Sequence, residues 1–250
     1  TDLLTTEAGG SSTFTVVLDT APNADVTVAI TGLKPQEGLL SGSSLSETNT
    51  LTFTTANWDT AQTITVTGVD DSYANDDYTY SLIATASNTG GYTGTERATT
   101  NVKNIDDDTN GVTIAQTGTT DGSGNLLTTE AGSTSTFTVV LDAEPTDTVT
   151  VSITGNDATE GALSGSTLSG TNTLTFTTTD WNTAQTITIT GVDDSIVDGD
   201  ITTTLTATAN SAGGYSGEST TTTVKNTDDE TSGVTIAQTG TTDGSGNLLT

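Results

Sequence analysis

The stretch ANWDTAQTITVTGVDD (56–71) recurs later in the chain as TDWNTAQTITITGVDD (179–194). In both copies Ile or Val alternates with Thr after the Gln, which is the two-residue period of a β-strand with one buried face. Thr suits the solvated face of such a strand. Gly-Val-Asp-Asp then ends the alternation and indicates a turn that carries two carboxylates. The stretch therefore predicts a repeated strand that runs into an acidic turn.

The repeat covers nearly all of the 250 residues. Phe14 aligns with Phe137, well before the quoted stretch, so the self-similarity is not confined to one motif. A long repeat of this kind indicates tandem domains. It predicts one domain over 1–108 and a second, complete domain over 109–230.

The segment GVTIAQTGTTDGSGNLLT occurs at 111–128 and again, unchanged, at 233–250. Because a complete unit opens with it, we expect 1–108 to lack its first strand and 231–250 to form the first strand of a further repeat. Two explanations fit. The chain is part of a longer array, or its last segment fills the gap in the first domain of a like chain. The Leu-Leu-Thr of the last segment is already present at 3–5, and this overlap favours the longer array.

Alternating apolar residues mark about seven strands per unit, separated by turns rich in Gly, Asn, Asp and Ser. In the second unit the strands are expected near 112–114, 137–141, 149–153, 174–176, 187–189, 205–207 and 224. No stretch carries an apolar period of 3.6 residues, so we expect essentially no helix. The predicted fold is all-β, with tandem antiparallel β-sandwiches. Since only 30% of the residues are hydrophobic, each core is expected to be thin and to need further stabilisation.

The composition excludes several classes of function. The chain has 32 acidic and 4 basic residues, a net charge of -28, so it lacks the basic face that nucleic acid binding requires. It contains no His and no Cys, which excludes disulfides, thiolate nucleophiles, Ser-His-Asp triads and zinc sites of the usual ligands. We therefore expect no enzyme. The apolar runs are too short to cross a bilayer, so no membrane insertion is expected.

Half of the acids lie in three short places in each unit, and each place adjoins a predicted strand end. In a sandwich such strand ends meet at one pole, where converging carboxylates repel unless a cation neutralises them. A hard cation that takes six to eight oxygens at about 2.3–2.6 Å is Ca²⁺. Solvated acidic turns are the simpler interpretation of any one cluster. Three coincident clusters in both copies favour calcium.

The ordered set TEAG, F-x-V-x-L, TVTGVDDS and V-K-N-x-D-D-[DE] resembles the Calx-beta domain of the sodium/calcium exchanger and of large bacterial surface proteins. The bacterial repeats are the more similar, through 56–71 and 179–194. The resemblance implies an immunoglobulin-like sandwich that holds calcium at one pole. Carried over by position, the metal ligands are Glu7, Asp70, Asp71, Asp77, Asp106, Asp107, Asp108, Glu130, Asp193, Asp194, Asp200, Asp228, Asp229 and Glu230.

Two details qualify this ligand set. The family's G-S-D-Y segment reads SGSSLSE (41–47) and SGSTLSG (164–170) here, so one ligand is missing or is replaced, with Glu37 and Glu160 as the substitutes considered. Fewer ions or a lower affinity would follow. The two copies also disagree at one position, because Asp198 aligns with an Asn, and it ranks below the ligands above. Asp76, which aligns with a Gly, ranks equally low.

These observations predict a calcium-stabilised structural repeat of a long extracellular or cell-surface protein, expected to be bacterial, that serves as an adhesin stalk, filament or matrix component. Its expected partners are adjacent repeats or like chains. One alternative is an adhesive module that binds a surface glycan or receptor, and another is a subunit polymerised by donated strands. Trp58 and Trp181 each precede a strand, which favours a place in the core over a carbohydrate-stacking surface.

Overall fold

The computed structural model describes residues 2–237, 239–241 and 244–247. Over these residues it contains β-strands and no helix, so the predicted all-β fold is confirmed. No helix in the described part of the chain is long and apolar enough to span a bilayer. The strands form four sheets, which pair as two sandwiches.

The first sandwich is built from the eight strands β1 (Leu3–Thr6), β2 (Ser11–Val16), β3 (Val26–Thr31), β4 (Gly38–Ser41), β5 (Thr50–Phe53), β6 (Gln62–Gly68), β7 (Tyr78–Ala86) and β8 (Arg97–Ile105). One sheet has the order β1-β8-β7-β3-β5, and the other has the order β2-β6-β4.

The second sandwich is built from the nine strands β9 (Val112–Gln116), β10 (Leu126–Thr129), β11 (Thr134–Leu141), β12 (Val149–Thr154), β13 (Gly161–Ser164), β14 (Thr173–Phe176), β15 (Gln185–Gly191), β16 (Ile201–Ala209) and β17 (Ser219–Thr227). Its sheets have the orders β10-β17-β16-β12-β14 and β13-β15-β11-β9. The second sandwich therefore repeats the first and adds β9 at one edge.

One pairing in each sandwich departs from the antiparallel expectation. Strand β1 runs parallel to β8, and β10 runs parallel to β17. Both β1 and β10 have the sequence LLTT, and neither was predicted from the sequence. The strands β4 and β13, which also have four residues each, were not predicted either. Four residues give too few alternations to reveal a strand, and their partners lie far away in the sequence.

The core of each sandwich comes from the alternating residues that the sequence predicts. Along β3, for example, Val26, Val28 and Ile30 are buried at 0%, 3% and 4% exposure, while the intervening Thr27 is exposed. Trp58 and Trp181 are partly buried against the two cores. The repeated stretch at 56–71 and 179–194 thus supplies a core strand, β6 or β15, and a tryptophan that precedes this strand and packs against the core.

Candidate metal centre

The backbone brings three distant segments to one end of each sandwich. Thr6 pairs with Ile105 where β1 and β8 end side by side, and the Glu7 N–H continues this ladder by donating to the Ile105 carbonyl at 3.1 Å. The Gly68 N–H, at the end of β6, donates to the Gly10 carbonyl at 2.9 Å. The residues that follow β1, β6 and β8 therefore meet at one place, which we call the acidic pole.

Glu7 is the centre of the acidic pole in the first sandwich. Its carboxylate forms one group with Asp70 and Asp107 and another with Asp71 and Asp108. Within each group one oxygen per residue lies within 4.8 Å of the others. Glu7 is thus placed to bridge two neighbouring cation positions.

The acidic pole of the second sandwich carries three such groups. They are Glu130, Asp193, Asp229 and Glu230; Glu130, Asp198 and Asp228; and Glu160, Asp194 and Asp198. Glu130 occupies the bridging place that Glu7 has in the first sandwich. The same architecture is therefore present twice, with a richer set of carboxylates in the second copy.

Several carboxylate oxygens in these groups are buried without a hydrogen-bond donor. Glu7 and Glu130 are only 4% and 3% exposed. Glu7 Oε2, Asp108 Oδ2 and Glu230 Oε2 have no hydrogen-bond partner among the described residues. A buried polar atom without a partner is costly, and a buried charge is costlier still. A cation bound at each acidic pole would supply the missing partner, for Glu7 and Asp108 in the first sandwich and for Glu230 in the second.

The raised pKa values of carboxyl groups at the acidic poles also indicate that a cation binds there. Burial raises the pKa of Glu7 to about 7, with a further contribution from Asp71 and Asp106. Close contact with Glu130 and then burial raise the pKa of Glu230 to about 8. Burial, followed by repulsion from Asp106, also raises the pKa of Asp108. Without a cation, these carboxyl groups therefore retain protons to unusually high pH.

A buried asparagine hydrogen-bonds to a glutamate at each pole. Asn104 is 1% exposed, and its amide donates to Glu7 Oε1 at 3.4 Å and to the Val69 carbonyl at 3.2 Å. Its own carbonyl oxygen accepts the Thr5 hydroxyl at 2.9 Å. Asn104 thus ties β1, the β6–β7 loop and the central carboxylate together.

In the second sandwich Asn226 plays the corresponding part with a different glutamate. Its amide donates to Glu160 Oε2 at 3.3 Å and to the Val192 carbonyl at 3.3 Å. Glu160 is 7% exposed, and burial raises its pKa. Glu160 is therefore held at the second pole, whereas Glu37 belongs to none of the acidic groups among the described residues.

Three of the predicted ligands lie outside these groups in the described chain. Asp77 is bound by Lys103 at 2.6 Å, which lowers its pKa, and Asp200 is bound by Lys225 at 2.6 Å. Asp106 accepts the backbone N–H groups of Asn75 and Asp108, at 2.8 and 3.0 Å. Each sandwich therefore has one lysine–aspartate ion pair that lies outside its acidic groups. Asp106 sets the conformation of the loop that contains Asp107 and Asp108. All the other predicted ligands belong to at least one group.

Asp198 was ranked low from the sequence but joins two of the acidic groups. The comparison of the two copies penalised it because Asn75 stands at the aligned position. The loop between β15 and β16 differs from its first counterpart, however, since it has Gly199 in a left-handed conformation at φ 81°. Residue-by-residue alignment therefore did not reveal that Asp198 turns toward Glu160.

The donor set fits Ca²⁺. Every group consists of carboxylates, and Ca²⁺ is a hard cation that prefers six to eight oxygen ligands, including carboxylates and water. Mg²⁺ keeps most of its own water and uses fewer protein ligands. Three or four carboxylates around a bridging glutamate are therefore better suited to calcium.

Two tyrosine side chains at equivalent positions of the two sandwiches make hydrogen bonds to the backbone. Tyr215 is 4% exposed, and its hydroxyl donates to the Ala143 carbonyl at 2.8 Å. The Tyr92 hydroxyl donates to the Thr20 carbonyl, also at 2.8 Å. Each hydrogen bond ties a ring to a backbone carbonyl of a neighbouring segment in the same sandwich.

No protein-family model matches the chain, and no curated protein matches it. Among solved structures, the chain is similar to CBD12 from CALX1.2, with 17% identity over 84% of this chain and 77% of that one and a TM-score of 0.31. It is similar to domains 1–6 of the surface layer protein SbsC, with 14% identity over 92% and 25% of the two chains and a TM-score of 0.36. It is also similar to extracellular cadherin domains 1–5 of protocadherin gamma B2, with 13% identity over 90% and 37% and a TM-score of 0.34. Similarity at this level does not assign the chain to a family.

Proposed function

We propose that this chain is a calcium-stabilised structural repeat of an extracellular surface protein, such as a stalk, filament or matrix component. The observation that carries the proposal is the buried, donor-free Glu7 Oε2 at the point where three acidic segments meet. The bridging position of Glu130 in the second sandwich gives the same support independently. Under this proposal Ca²⁺ replaces the disulfides that stabilise many small extracellular domains.

The calcium would act on the joint between the sandwiches as well as on each core. Asp71 accepts the Tyr73 N–H at 2.8 Å, so a candidate ligand sets the conformation of its own loop. The Tyr73 hydroxyl then donates to Glu144 Oε1 of the second sandwich at 2.7 Å, and the Glu144 N–H returns a hydrogen bond to the Ser72 carbonyl at 2.6 Å. Ordering this loop would therefore limit the angle between the two domains.

The segment that joins the sandwiches belongs to the same arrangement. It begins with the candidate ligands Asp107 and Asp108 and continues to Asn110, whose amide donates to the Gly214 carbonyl at 3.0 Å. An ion at the first acidic pole would hold one end of this linker while Asn110 holds the other. The proposed role is mechanical: rows of such domains stay ordered in calcium and become flexible and mutually repelling without it.

Thermal unfolding in calcium tests the proposal directly. A ligand at a hundred times its dissociation constant stabilises the folded state by about 2.7 kcal/mol per site. We expect millimolar Ca²⁺ to raise the melting temperature well above that in excess chelator, and equal Mg²⁺ to have a much smaller effect. Equal melting curves in calcium and in chelator would reduce the acidic poles to solvated turns and remove the proposal.

A further inference from the structure

Asn110 and Gly111 form the only Asn-Gly pair in the sequence, and they lie in the linker between the two sandwiches. Residues 106–111 belong to no strand, and β9 begins directly after them at Val112. Asn110 is partly exposed to solvent. The pair therefore combines an accessible side-chain amide with a glycine in irregular backbone.

An asparagine that precedes a glycine is prone to lose its side-chain amide without an enzyme. The backbone nitrogen of the following residue attacks the asparagine Cγ, and the new bond closes a five-membered ring. Glycine has no Cβ, so its nitrogen is less hindered and its backbone reaches the required conformation more readily than that of other residues. Gly111 thus places no side chain in the path of an attack on Asn110.

The structure itself favours glycine at position 111. A Cβ on this residue would collide with Asp142 Oδ2. The Asp142 N–H in turn donates to the Gly111 carbonyl at 3.0 Å, which joins the end of the linker to the second sandwich. The glycine beside Asn110 is therefore explained by its contacts with Asp142.

Among the described residues, a single hydrogen bond holds the Asn110 side chain. Its Nδ2 donates to the Gly214 carbonyl at 3.0 Å. One hydrogen bond of this kind contributes little net free energy, because water replaces it when the side chain turns away. Asn110 belongs to neither hydrophobic core. Its amide is thus free to rotate toward the Gly111 nitrogen without any change in the packing of the sandwiches.

We propose that Asn110 is a site of spontaneous deamidation and that this reaction releases the linker from the second sandwich. The Gly111 nitrogen bonds to Asn110 Cγ and loses its proton, while Nδ2 takes up a proton and leaves as ammonia. One water molecule then opens the resulting succinimide ring. Opening at the Cγ carbonyl gives aspartate, and opening at the main-chain carbonyl gives isoaspartate.

Both products remove the donor that Asn110 offers to Gly214. A carboxylate accepts hydrogen bonds and does not donate them, so it cannot bind the Gly214 carbonyl. It also adds a negative charge close to Asp142, whose carboxylate lies against Gly111. Isoaspartate further inserts one methylene group into the backbone of the linker. The contact that fixes this end of the linker is therefore lost.

The other copy of the linker sequence lacks the reactive pair. DDDTNG (106–111) aligns with DDETSG (228–233), so Ser232 stands where the first copy has Asn110. A serine has no side-chain amide and cannot form the ring. The proposed reaction is thus specific to the joint between the two sandwiches.

Peptide mapping by mass spectrometry, on the full chain aged at neutral pH and physiological temperature, tests the reaction. We expect Asn110 to be converted about tenfold faster than any other asparagine, which corresponds to a barrier lower by about 1.4 kcal/mol. Asn88 and Asn210 are the internal controls, because both are exposed and are followed by Thr89 and Ser211, which are larger than glycine. Conversion of Asn110 no faster than these two would overturn the inference.

Small-angle X-ray scattering of fresh and aged samples tests the effect on the joint. The aged native chain and fresh Asn110→Asp should both show a broader distribution of intramolecular distances than the fresh native chain. Asn110→Gln keeps an amide donor but would have to close a less favourable six-membered ring, so its fresh and aged samples should scatter alike. Melting curves establish that every sample is folded.

All samples are kept at the same calcium concentration. The reaction uses no carboxylate of the acidic poles, so this inference stands or falls separately from the calcium proposal. Two scattering results would overturn it. The first is a deamidated chain and an Asn110→Asp variant that both scatter like the fresh native chain, and the second is an Asn110→Gln variant that changes on ageing as much as the native chain.

Discussion

Glu7 and Glu130 are the residues on which the two acidic poles depend. Each is almost fully buried, follows a short parallel strand and is shared by two groups of carboxylates. A glutamate in that setting is unfavourable for the fold unless it is protonated or bound to a cation. The two states give opposite dependences on pH and on calcium, so single substitutions can separate them.

Replacing Glu7 with Gln should abolish the calcium response of the first sandwich. Glu7 takes part in both acidic groups of the first sandwich, so we expect the loss of about 2.7 kcal/mol of calcium-dependent stabilisation for each of the two cation positions, or a fall of roughly 20 °C in the melting temperature at saturating calcium. In chelator the same variant should melt slightly higher than the native chain, because a buried charge has been removed. Differential scanning calorimetry measures both effects.

The matched control is Glu47→Gln, which removes an equal charge from an exposed position between β4 and β5. It should leave the calcium response unchanged. If Glu7→Gln and Glu47→Gln respond to calcium alike, the effect is one of general charge screening, and Glu7 is not a ligand.

Without calcium, stability should fall as the pH rises. The pKa of Glu7 is raised from 4.5 to about 7 and that of Glu230 from 4.5 to about 8. Between these values the unfolded chain releases protons that the folded chain retains, so the folded state is favoured below about pH 4.5 and loses that advantage toward pH 8. Urea unfolding in metal-free buffer should therefore give a higher midpoint near pH 5 than near pH 8.

Two features check the origin of this pH effect. Asp77 and Asp200 have lowered pKa values, so their opposite contribution is confined to pH below about 3.8 and does not affect this window. Glu7→Gln should flatten part of the profile, and saturating calcium should reverse its slope, because Ca²⁺ binds the ionised carboxylates. If the urea midpoint in metal-free buffer rises from pH 5 to pH 8, the carboxylates at the poles are not destabilised by burial and mutual repulsion as proposed.

Among the elements, the loop between β6 and β7 has the most consequences. It contains the candidate ligands Asp70 and Asp71 and, directly after them, Tyr73, which reaches the second sandwich. The equivalent loop of the second sandwich has Ile196 in place of Tyr73, and that side chain is 61% exposed. The two loops thus begin with the same acidic turn but end in different contacts.

Tyr73→Phe should loosen the joint between the domains without destabilising either one. The substitution removes the 2.7 Å hydrogen bond to Glu144 and leaves the Asp71 turn intact. Small-angle X-ray scattering in calcium should show a broader distribution of intramolecular distances than for the native chain. The melting temperature should change by less than about 3 °C. Tyr78→Phe, on strand β7 of the same sandwich, is the control and should not alter the scattering. Identical scattering from all three proteins would show that this contact does not limit the interdomain angle.

At the scale of the whole molecule, the net charge is -28, and half of the acidic residues lie in short clusters beside strand ends. Each sandwich thereby combines a thin apolar core with a pole that repels itself in the absence of a cation. Calcium would order each domain and its linker.

The sequence by itself determined the all-β class, the alternation of the core strands and the repeated position of the acids. These properties are local. A strand with one buried face must place apolar residues at every second position, and each acidic turn is contiguous in sequence with a strand. The short strands β1, β4, β10 and β13 were not predicted because their stability comes from partners that are distant in the chain.

Only the tertiary structure decided which carboxylates meet. The parallel register of β1 with β8 places Glu7 beside the residues that follow β8, and the left-handed turn at Gly199 accompanies Asp198 at the second pole. Asp77 forms an ion pair with Lys103 and belongs to none of the carboxylate groups among the described residues. Distances between carboxylates depend on contacts between strands far apart in sequence, and burial depends on what covers them. Local patterns carry neither quantity, so the ligand groups emerge only once the sheets are assembled.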